Sequence, residues 1–597
     1  MHKGNEITMK KSTCTVIKVF LAAYWSSVLL RADSYYVPYM AVAMFGCACM
    51  AFNHAKSVNI GAKRDKVITY LYAGVLALCV AAANYSIYDE ITALYSQHIS
   101  RFIGVFRALS MCLVFLGGVV LFREILCAVY YLAIAPIAEK KEARKAVIKP
   151  WVVLCTAWVL IAMLDLIVLF GAEYPGNVTP DSVKQIHQIF QLEPYSNHHP
   201  YYHTQIIKLF IMLGMKLFGD VNVAVATYNV FSVLMLSGCF AYSVCTVYQI
   251  NGSIKAALCV FLFYFLMPYN IKYSYTVWKD VLFAAAVLLF VLGVFRTIER
   301  VGKSAGVNTF MMLAGAFGMT LLRSNGFLAF FLSTAVFALL FFKNNKKEVF
   351  MFAGVLLISF IMKYPVLNAL NVAQPDTIEA LSIPVQQIAR VISDDMPLAD
   401  EQRTLLDKVV DVDRIPAEYE SHISDPIKEL VRETGDQKYL SENKAAFLKL
   451  YVELGLKYPK EYVRAWIDQT RGYWNAGYNY WVWVDGITEN AVGMERTLYS
   501  PGVSGLSNEY FRKFYVSTEN PLMLLFVSVG FNVWLVALAS YSSIMRKNRA
   551  ALFTAVPSLM IIATLLVATP VFCEFRYAYA LFCCLPFILY VSFERKT

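Results

Sequence analysis

Long runs of apolar residues dominate the chain, and they restrict it to a protein embedded in a membrane. The chain is 58% hydrophobic and 16% charged, whereas soluble domains are about 25% charged. A bilayer core about 30 Å thick needs about 20 apolar residues per helix. None of the runs alternates as the strands of an outer-membrane barrel do. We therefore predict an all-α polytopic membrane protein with about 14 transmembrane helices. The segments are 12–30, 36–53, 67–84, 102–122, 151–171, 222–248, 255–275, 281–295, 307–322, 327–342, 349–366, 520–542, 550–568 and 577–593.

Basic residues fall in alternate loops and so predict the orientation, because positively charged loops stay cytoplasmic. They place both termini in the cytoplasm of a plasma-membrane protein. The loops 173–204, 277–280, 323–326, 367–518 and 569–576 then face outward. The basic groups are Lys56 to Lys66, Lys140 to Lys149, Arg300 and Lys303, Lys343 to Lys347, and Arg546 to Arg549.

The short apolar stretch 205–219 contains Lys208 and Lys216. Lysines inside so short a stretch favour a helix that lies in the membrane interface and extends its amines to the headgroups. A short tilted span is the alternative, but it would place basic loops on both sides of the membrane.

Residues 367–518 differ in charge from the rest of the chain, with a net charge of −7 against +18 elsewhere. About 150 residues can bury a core of their own. Apolar positions such as Phe447, Leu450 and Leu454 recur at helical spacing. We predict a mostly helical extracytoplasmic domain here. The predicted division is a four-helix membrane region (1–150), a first part of the membrane core (151–366), the exterior domain (367–518) and the last three helices (519–597).

Several kinds of chemistry find no support in the sequence. It contains no Walker A sequence, no GxGxxG and no zinc-ligand spacing. The 13 cysteines lie in or beside apolar segments, which argues against a disulfide framework. Because cytoplasmic loops account for the positive charge, we expect no nucleic-acid partner. No cofactor is predicted with certainty, although a divalent cation is possible.

The first outward loop, 173–204, holds four of the eight histidines. Asp181 could accept a proton from a hydroxyl or bind a metal ion, or it could cap a helix over 182–190. His198, His199 and His203 could bind a metal or a phosphate. Alternatively, they are polar residues whose hydrogen bonds are satisfied at the interface.

Charged residues also stand at the ends of the other outward loops. Lys279 and Asp280 precede an apolar span, where they form either a functional group or an end cap. Arg323 and Asn325 lie at the same level, and Glu574 and Arg576 follow in the last loop. Arginine forks suit phosphate. The set predicts a pocket that binds an anionic lipid headgroup and uses carboxylates to activate a nucleophile.

A further feature is the aromatic run 466–483, which holds four of the nine tryptophans. Sugar faces stack on such rings, and Trp474 is the predicted contact. An aromatic belt at the membrane interface or plain packing are the alternatives.

A set of short strings gives the chain a family resemblance that covers residues 150–597. The chain resembles the GT-C superfamily of polytopic glycosyltransferases and, more narrowly, the uncharacterised bacterial DUF6020 family. The resemblance implies that Asp181 and Asp280 are catalytic and that Arg323 and Arg576 contact a donor phosphate. Asp181 lacks a neighbouring acidic residue, so a paired-carboxylate metal site is absent. The strings are YPGNVTPDS, NHHPYYHT, VWKDVLF, LRSNG, SIPVQQIARV, SDPIK and FRYAY.

The expected function is therefore transfer of a sugar from a polyprenyl-phosphate donor to an extracytoplasmic acceptor, which is a cell-envelope glycan, a lipid-linked glycan or a protein. Membrane lipid is a further partner. A lipid or glycan transporter or flippase, and a non-catalytic envelope assembly protein, are the alternatives. Convergence of the loop residues on one place would favour the enzyme. The expected substrate-binding residues are His198, His199, Lys279, Arg323, Asn325, Arg576 and Trp474.

Overall fold

The structure, a computed structural model, describes residues 2–30, 36–88, 102–134, 148–302, 304–514 and 520–594. Within these ranges it is helical, with isolated β-bridges and no β-strand. The predicted basic residues Lys140, Lys141, Arg144, Lys145 and Lys303 lie outside the described ranges.

Every predicted apolar segment coincides with a helix or a bent helix pair. Nine of the described helices are long and apolar enough to cross a membrane, and two bent pairs raise this number to eleven. Three further apolar helices are shorter: Thr15–Leu29, Ala305–Leu321 and Gly326–Phe341. The chain thus fits a multi-pass membrane protein, while the count of fourteen spans stays a prediction.

The helices divide into four consecutive groups. The first contains α1 (His2–Leu29), α2 (Val37–Ala55), α3 (Lys63–Ala83) and α4 (Ile103–Ile134). The second contains α5 (Pro150–Ala172), α6 (Pro180–Ile189), α7 (Tyr201–Phe218), α8 (Val221–Asn251), α9 (Ile254–Leu266), α10 (Pro268–Ser274), α11 (Lys279–Ile298), α12 (Ala305–Leu321), α13 (Gly326–Phe341) and α14 (Lys346–Ile361), the last extended by a π-helical turn, Met362–Val366, and by Leu367–Ala369.

The third and fourth groups complete the chain. The third contains α15 (Ser382–Ser393), α16 (Asp400–Asp407), α17 (Asp425–Thr434), α18 (Gln437–Glu442), α19 (Lys444–Lys457), α20 (Pro459–Trp474) and α21 (Pro501–Phe514), with short turns at Thr377–Leu381, Val412–Arg414 and Ile415–Glu418. The fourth contains a turn at Pro521–Met523 and then α22 (Leu524–Val527), α23 (Val529–Met545), α24 (Arg549–Ala568) and α25 (Phe575–Phe593).

Helix α11 forms the centre of the bundle and packs against α8, α12, α24 and α25. Glycines let α12 approach it closely, because a Cβ at Gly315 would lie 2.4 Å from the Phe290 nitrogen. At Gly293 a Cβ would lie 2.6 Å from Met312. The first turn of α11, which carries Asp280, therefore stands at the centre of one end of the bundle.

Helix α7 contains the stretch predicted to lie in the interface. It buries His203, Ile207 and Ile211 and exposes Leu209 and Leu217. One of its faces thus packs on the protein and another is apolar and exposed, while its position in the membrane interface stays a prediction.

The region predicted as an exterior domain falls into two parts. Buried residues between Ile378 and Tyr462 form a hydrophobic core of their own. The following segment, 475–500, has no helix, and α21 then packs against α5 and α10. The second part is therefore built onto the membrane bundle.

The predicted orientation can be tested with a membrane-impermeant maleimide on intact cells. Lys438 and Lys347 are both exposed and lie in the predicted exterior domain and in a predicted cytoplasmic loop. We expect label at Lys438→Cys without permeabilisation and at Lys347→Cys only after it. The unsubstituted protein measures labelling of the native cysteines. Labelling of Lys347→Cys alone in intact cells would reverse the orientation.

Candidate functional site

The loops predicted to face outward meet at one end of the bundle. Residue Asn177 forms a parallel bridge with Thr276, and Val178 forms one with Ile487. An antiparallel bridge joins Ile423 to Val571. These bridges bring together the segments before α6, before α11 and before α25, together with two segments of the region 367–518.

Hydrogen bonds fix the start of α6 against the start of α11. The Trp278 indole donates to the Thr179 hydroxyl at 2.7 Å, and the Ser182 hydroxyl donates to the Val277 carbonyl. Thr179 is the N-cap residue, so Asp181 lies inside the first turn and caps nothing. Its carboxylate is therefore directed to groups on other helices.

Asp181 meets two cations from distant parts of the chain. Its Oδ2 lies 3.2 Å from Lys279 Nζ and 3.0 Å from an Arg576 NH group. The Asp181 side chain is 31% exposed, against 16% for Lys279 and 15% for Arg576. Asp181 is therefore the accessible carboxylate of an outer layer in which it neutralises part of the positive charge.

A deeper layer holds two more carboxylates. Asp280 Oδ1 lies 2.9 Å from an Arg323 NH group, and Glu574 Oε1 lies 2.8 Å from Arg576 Nε. Both carboxylates are almost fully buried, with side-chain exposures of 1% and 2%. The Tyr577 ring joins the two arginines, since its centroid lies 4.5 Å from the Arg323 guanidinium and 5.1 Å from that of Arg576.

Geometry leaves these inner carboxylates incompletely hydrogen-bonded. Neither Asp280 oxygen, nor Glu574 Oε1, accepts a well-directed hydrogen bond from the described residues, although each carboxylate lies beside an arginine. Arg323 instead donates to the Tyr577 carbonyl at 3.0 Å. Buried polar atoms in native proteins normally form hydrogen bonds. The carboxylate oxygens of this inner layer can therefore accept further hydrogen bonds.

The surroundings set different pKa values for two of the carboxylates. Burial acts to raise the pKa of Asp181, but the charges of Lys279 and Arg576 outweigh it and hold this pKa below its ordinary range. For Glu574, burial dominates over the opposing charge of Arg576, and the charges of Asp280 and Asp181 add to it. The pKa of Glu574 therefore rises to about 7. Asp181 is anionic at neutral pH, whereas Glu574 exchanges its proton near neutrality.

His199 is neutral and oriented by Lys279. Its Nδ1 lies 3.2 Å from Lys279 Nζ, and an ammonium can only donate. Nδ1 therefore accepts, and the ring proton is on Nε2. Burial and the charge of Lys279 lower the pKa of His199 to about 2. Because Nε2 is buried without a partner among the described residues, its N–H is available to an oxygen of a ligand.

Two of the other three histidines in this loop have different surroundings. His198 is exposed and packs edge-on against His199, at 4.7 Å between ring centroids. His203 is fully buried between Gln185 and Tyr228, at 3.2 and 3.1 Å. His203 therefore fastens α7 to α6 and α8.

Two of the expected substrate contacts have their partners among residues outside the charged cluster. Trp474 stacks on Trp466 at 5.8 Å, and its carbonyl accepts from Trp534. Asn325 donates to the Thr564 hydroxyl at 2.8 Å, and its buried Oδ1 has no partner in the described part of the chain.

Different tryptophans flank the cluster. The Arg576 guanidinium lies 5.4 Å from the Trp278 ring centroid and 5.7 Å from that of Trp481. Trp481 belongs to the aromatic run 466–483. The sequence singled out this run, but the contact predicted within it was Trp474. The sequence indicated Glu574 as part of the site only weakly, through its position two residues before Arg576.

The arrangement suits an anionic oxyacid better than a metal. Among the described residues, no group of three or more His, Cys, Asp or Glu side chains could hold a metal ion. By contrast, Lys279, Arg323 and Arg576 contribute three cations to the cluster, and Lys279 also contacts His199. Phosphate oxygens match lysine and arginine donors, and Asp181 contacts two of these cations.

Comparison with known proteins identifies a family. A sequence model of the DUF6020 family, described as a family of unknown function, matches residues 193–597. No curated protein and no solved structure matches the chain. The match includes Lys279, Asp280, Arg323, Glu574 and Arg576, and it begins after Asp181.

Proposed function

Since the chain belongs to the DUF6020 family, whose function is unknown, we propose an activity from the site itself: a GT-C-type membrane glycosyltransferase. It moves a sugar from a polyprenyl-phosphate donor to an acceptor outside the plasma membrane. The acceptor is a cell-envelope glycan, a lipid-linked glycan or a protein.

The observation that carries the proposal is the meeting of Asp181, Lys279 and Arg576. An accessible carboxylate there contacts two cations of the kind that bind phosphate, and each of the three residues comes from a different helix. A transferase needs both kinds of group, a base for the acceptor hydroxyl and cations for the leaving phosphate. A protein that only assembles other components has no use for them.

In the proposed reaction the acceptor hydroxyl oxygen attacks the anomeric carbon of the donor sugar. The bond from that carbon to the phosphate oxygen breaks, and polyprenyl phosphate leaves with the bonding electrons. The hydroxyl proton passes to Asp181 as the new bond forms. Lys279 and Arg576 stabilise the charge that develops on the phosphate. Attack opposite the leaving group inverts the anomeric carbon.

Trp278 and Trp481 supply the apolar side of the site. Their rings flank Arg576, and they lie 6.1 Å apart at an angle of 44°. Rings beside a phosphate-binding arginine can contact the sugar attached to that phosphate or the first carbons of the lipid. We assign this place to the donor.

One observation favours a transporter as the second candidate. Asp165 is buried inside the candidate span Pro150–Ala172, 3% exposed. Intramembrane carboxylates often serve transport pathways. A flippase would carry the intact donor across the membrane, whereas a transferase cleaves it.

Identification of the bound lipid tests the proposal. Mass spectrometry of lipids extracted from the purified protein should find a polyprenyl-phosphate sugar. Incubation of that preparation with envelope extract should release polyprenyl phosphate. A donor that binds but is never cleaved, while it crosses the bilayer of proteoliposomes, would identify a flippase. Bound glycerophospholipids alone would contradict both proposals.

A further inference from the structure

The six charged side chains of the site balance one another before any ligand arrives. Lys279, Arg323 and Arg576 supply three positive charges, and Asp181, Asp280 and Glu574 supply three negative charges when all are ionised. His199 adds none, since it accepts from Lys279. An entering phosphate therefore meets cations that are already paired, and its own charge must be compensated in a poorly solvated place.

The three carboxylates differ in how they depend on Arg576. Asp181 contacts both Arg576 and Lys279, so it keeps a cation if Arg576 turns to a ligand. Asp280 pairs with Arg323. Within the described part of the chain, Glu574 has an ion pair with Arg576 alone. A phosphate that engages Arg576 thus leaves Glu574 as a buried carboxylate without a cation.

Apart from Arg576, the titratable groups that face Glu574 carry no positive charge. Its backbone N–H donates to the Tyr473 hydroxyl at 3.0 Å, and its Oε1 accepts no well-directed hydrogen bond from the described residues. The titratable groups that face it from the packed elements are Asp181 of α6, Tyr273 of α10, Asp280 of α11, Tyr473 of α20, Tyr480, Cys573, and Arg576 and Tyr577 of α25.

We propose that Glu574 is the proton acceptor for ligand binding: it takes up one proton when a phosphate ligand engages Arg576. Protonation removes the buried charge that the phosphate would otherwise strand, and the cluster with bound phosphate is neutral again. The role rests on the proposed function, and it concerns binding, not the transfer step. It also separates Glu574 from Asp181, which remains ionised.

The same geometry determines the sign of the pH dependence. Burial, together with the neighbouring Asp280 and Asp181, raises the pKa of Glu574 to about 7. Loss of Arg576 to the ligand raises it further. Below that pH the proton is already present, and binding does not depend on pH. Above it each binding event draws a proton from solution, so affinity falls as pH rises.

A phosphodiester gives the cleanest test because its charge stays at −1 across the range. With farnesyl methyl phosphate as probe, we expect the Kd of the wild type to rise about 30-fold between pH 6 and pH 8.5. Isothermal titration at pH 7.5 in Tris and in HEPES should measure uptake of about 0.8 proton per ligand bound.

Glu574→Gln imitates the protonated form, so its Kd should match that of the wild type at pH 6 and stay constant to pH 8.5. Its proton uptake should vanish. The matched control is Glu124→Gln, another buried carboxylate, which pairs with Lys18 and Arg123 in the N-terminal helices. This control should retain the wild-type pH dependence.

The possible outcomes distinguish failure of the proposed role of Glu574 from failure of the proposed function. A wild type that binds the phosphodiester with no proton uptake, or a Glu574→Gln variant that keeps the pH dependence, would overturn the role of Glu574 alone. Failure of the wild type to bind the phosphodiester at any pH would remove the proposed donor site and this inference with it.

Discussion

Replacement of Asp181 with asparagine is expected to slow sugar transfer by about 100-fold or more, the usual effect of removing a general base. Asparagine keeps the shape of the side chain but cannot accept the proton of the acceptor hydroxyl. It also frees Lys279 and Arg576, which Asp181 contacts at 3.2 and 3.0 Å, so donor binding should hold or improve. The loss should therefore appear in kcat.

The measurement is release of polyprenyl phosphate from a polyprenyl-phosphate sugar incubated with the protein and envelope extract. Asp485→Asn is a suitable control, because Asp485 is 48% exposed and pairs with the buried Lys272 outside the cluster. Its transfer rate should stay within about threefold of the wild type, as for most surface changes. Near-normal turnover by Asp181→Asn would remove Asp181 from the catalytic role.

The second large effect is expected at Arg576. A charge-assisted contact of arginine with phosphate is worth about 1.5–3 kcal/mol. Arg576→Ala should therefore weaken binding of farnesyl methyl phosphate by about 10- to 150-fold at pH 6. Arg576→Lys should recover part of this loss, because lysine keeps the charge but lacks the fork. Arg323→Ala should follow the same pattern if its guanidinium reaches the phosphate.

Arg496→Lys provides the matched comparison, since Arg496 is an arginine at the same end of the bundle that pairs with Glu173 and not with the cluster. Its affinity for the probe should stay near that of the wild type. Equal affinity in the wild type, Arg576→Lys and Arg576→Ala would mean that Arg576 does not bind the phosphate and only extends to lipid headgroups. The proposed transferase would then lose its main electrostatic support.

Sequence reasoning located the charged residues because membrane topology confines them. Apolar spans force Asp181, Asp280, Arg323 and Arg576 to the same end of the bundle. Loop position therefore carried most of the information about the site. The helical state of the spans followed from the same apolar runs.

Other properties depend on contacts that no local pattern encodes. The raised pKa of Glu574 arises from burial beside Asp280 and Asp181, which are distant in sequence. Similarly, only the path of segment 475–483 decides that Trp481, rather than Trp474, flanks Arg576. The number of spans stays open because several helices are shorter than a bilayer requires.

The N-terminal helices are a feature that the family match does not include. They are nevertheless tied to the site end of the bundle, because the Tyr39 hydroxyl accepts from Asn475 at 2.7 Å and from Asn84 at 2.9 Å. Gly477 permits this contact, since a Cβ there would lie 2.1 Å from the Tyr39 hydroxyl. Segment 475–483 thus contacts the N-terminal helices through Asn475 and Arg576 through Trp481.

The ion pair between Asp181 and Arg576 joins residues 395 positions apart, and this separation has a consequence for biosynthesis. During translation Asp181 emerges long before Arg576, and Lys279 is the earlier of its two ion-pair partners in the chain. Glu574 and Arg576 are made together with the start of α25. A chain that lacked Phe575–Phe593 would lose Arg576 and also the packing of α25 against α11, α23 and α24, so the charged cluster cannot assemble until this helix has been made.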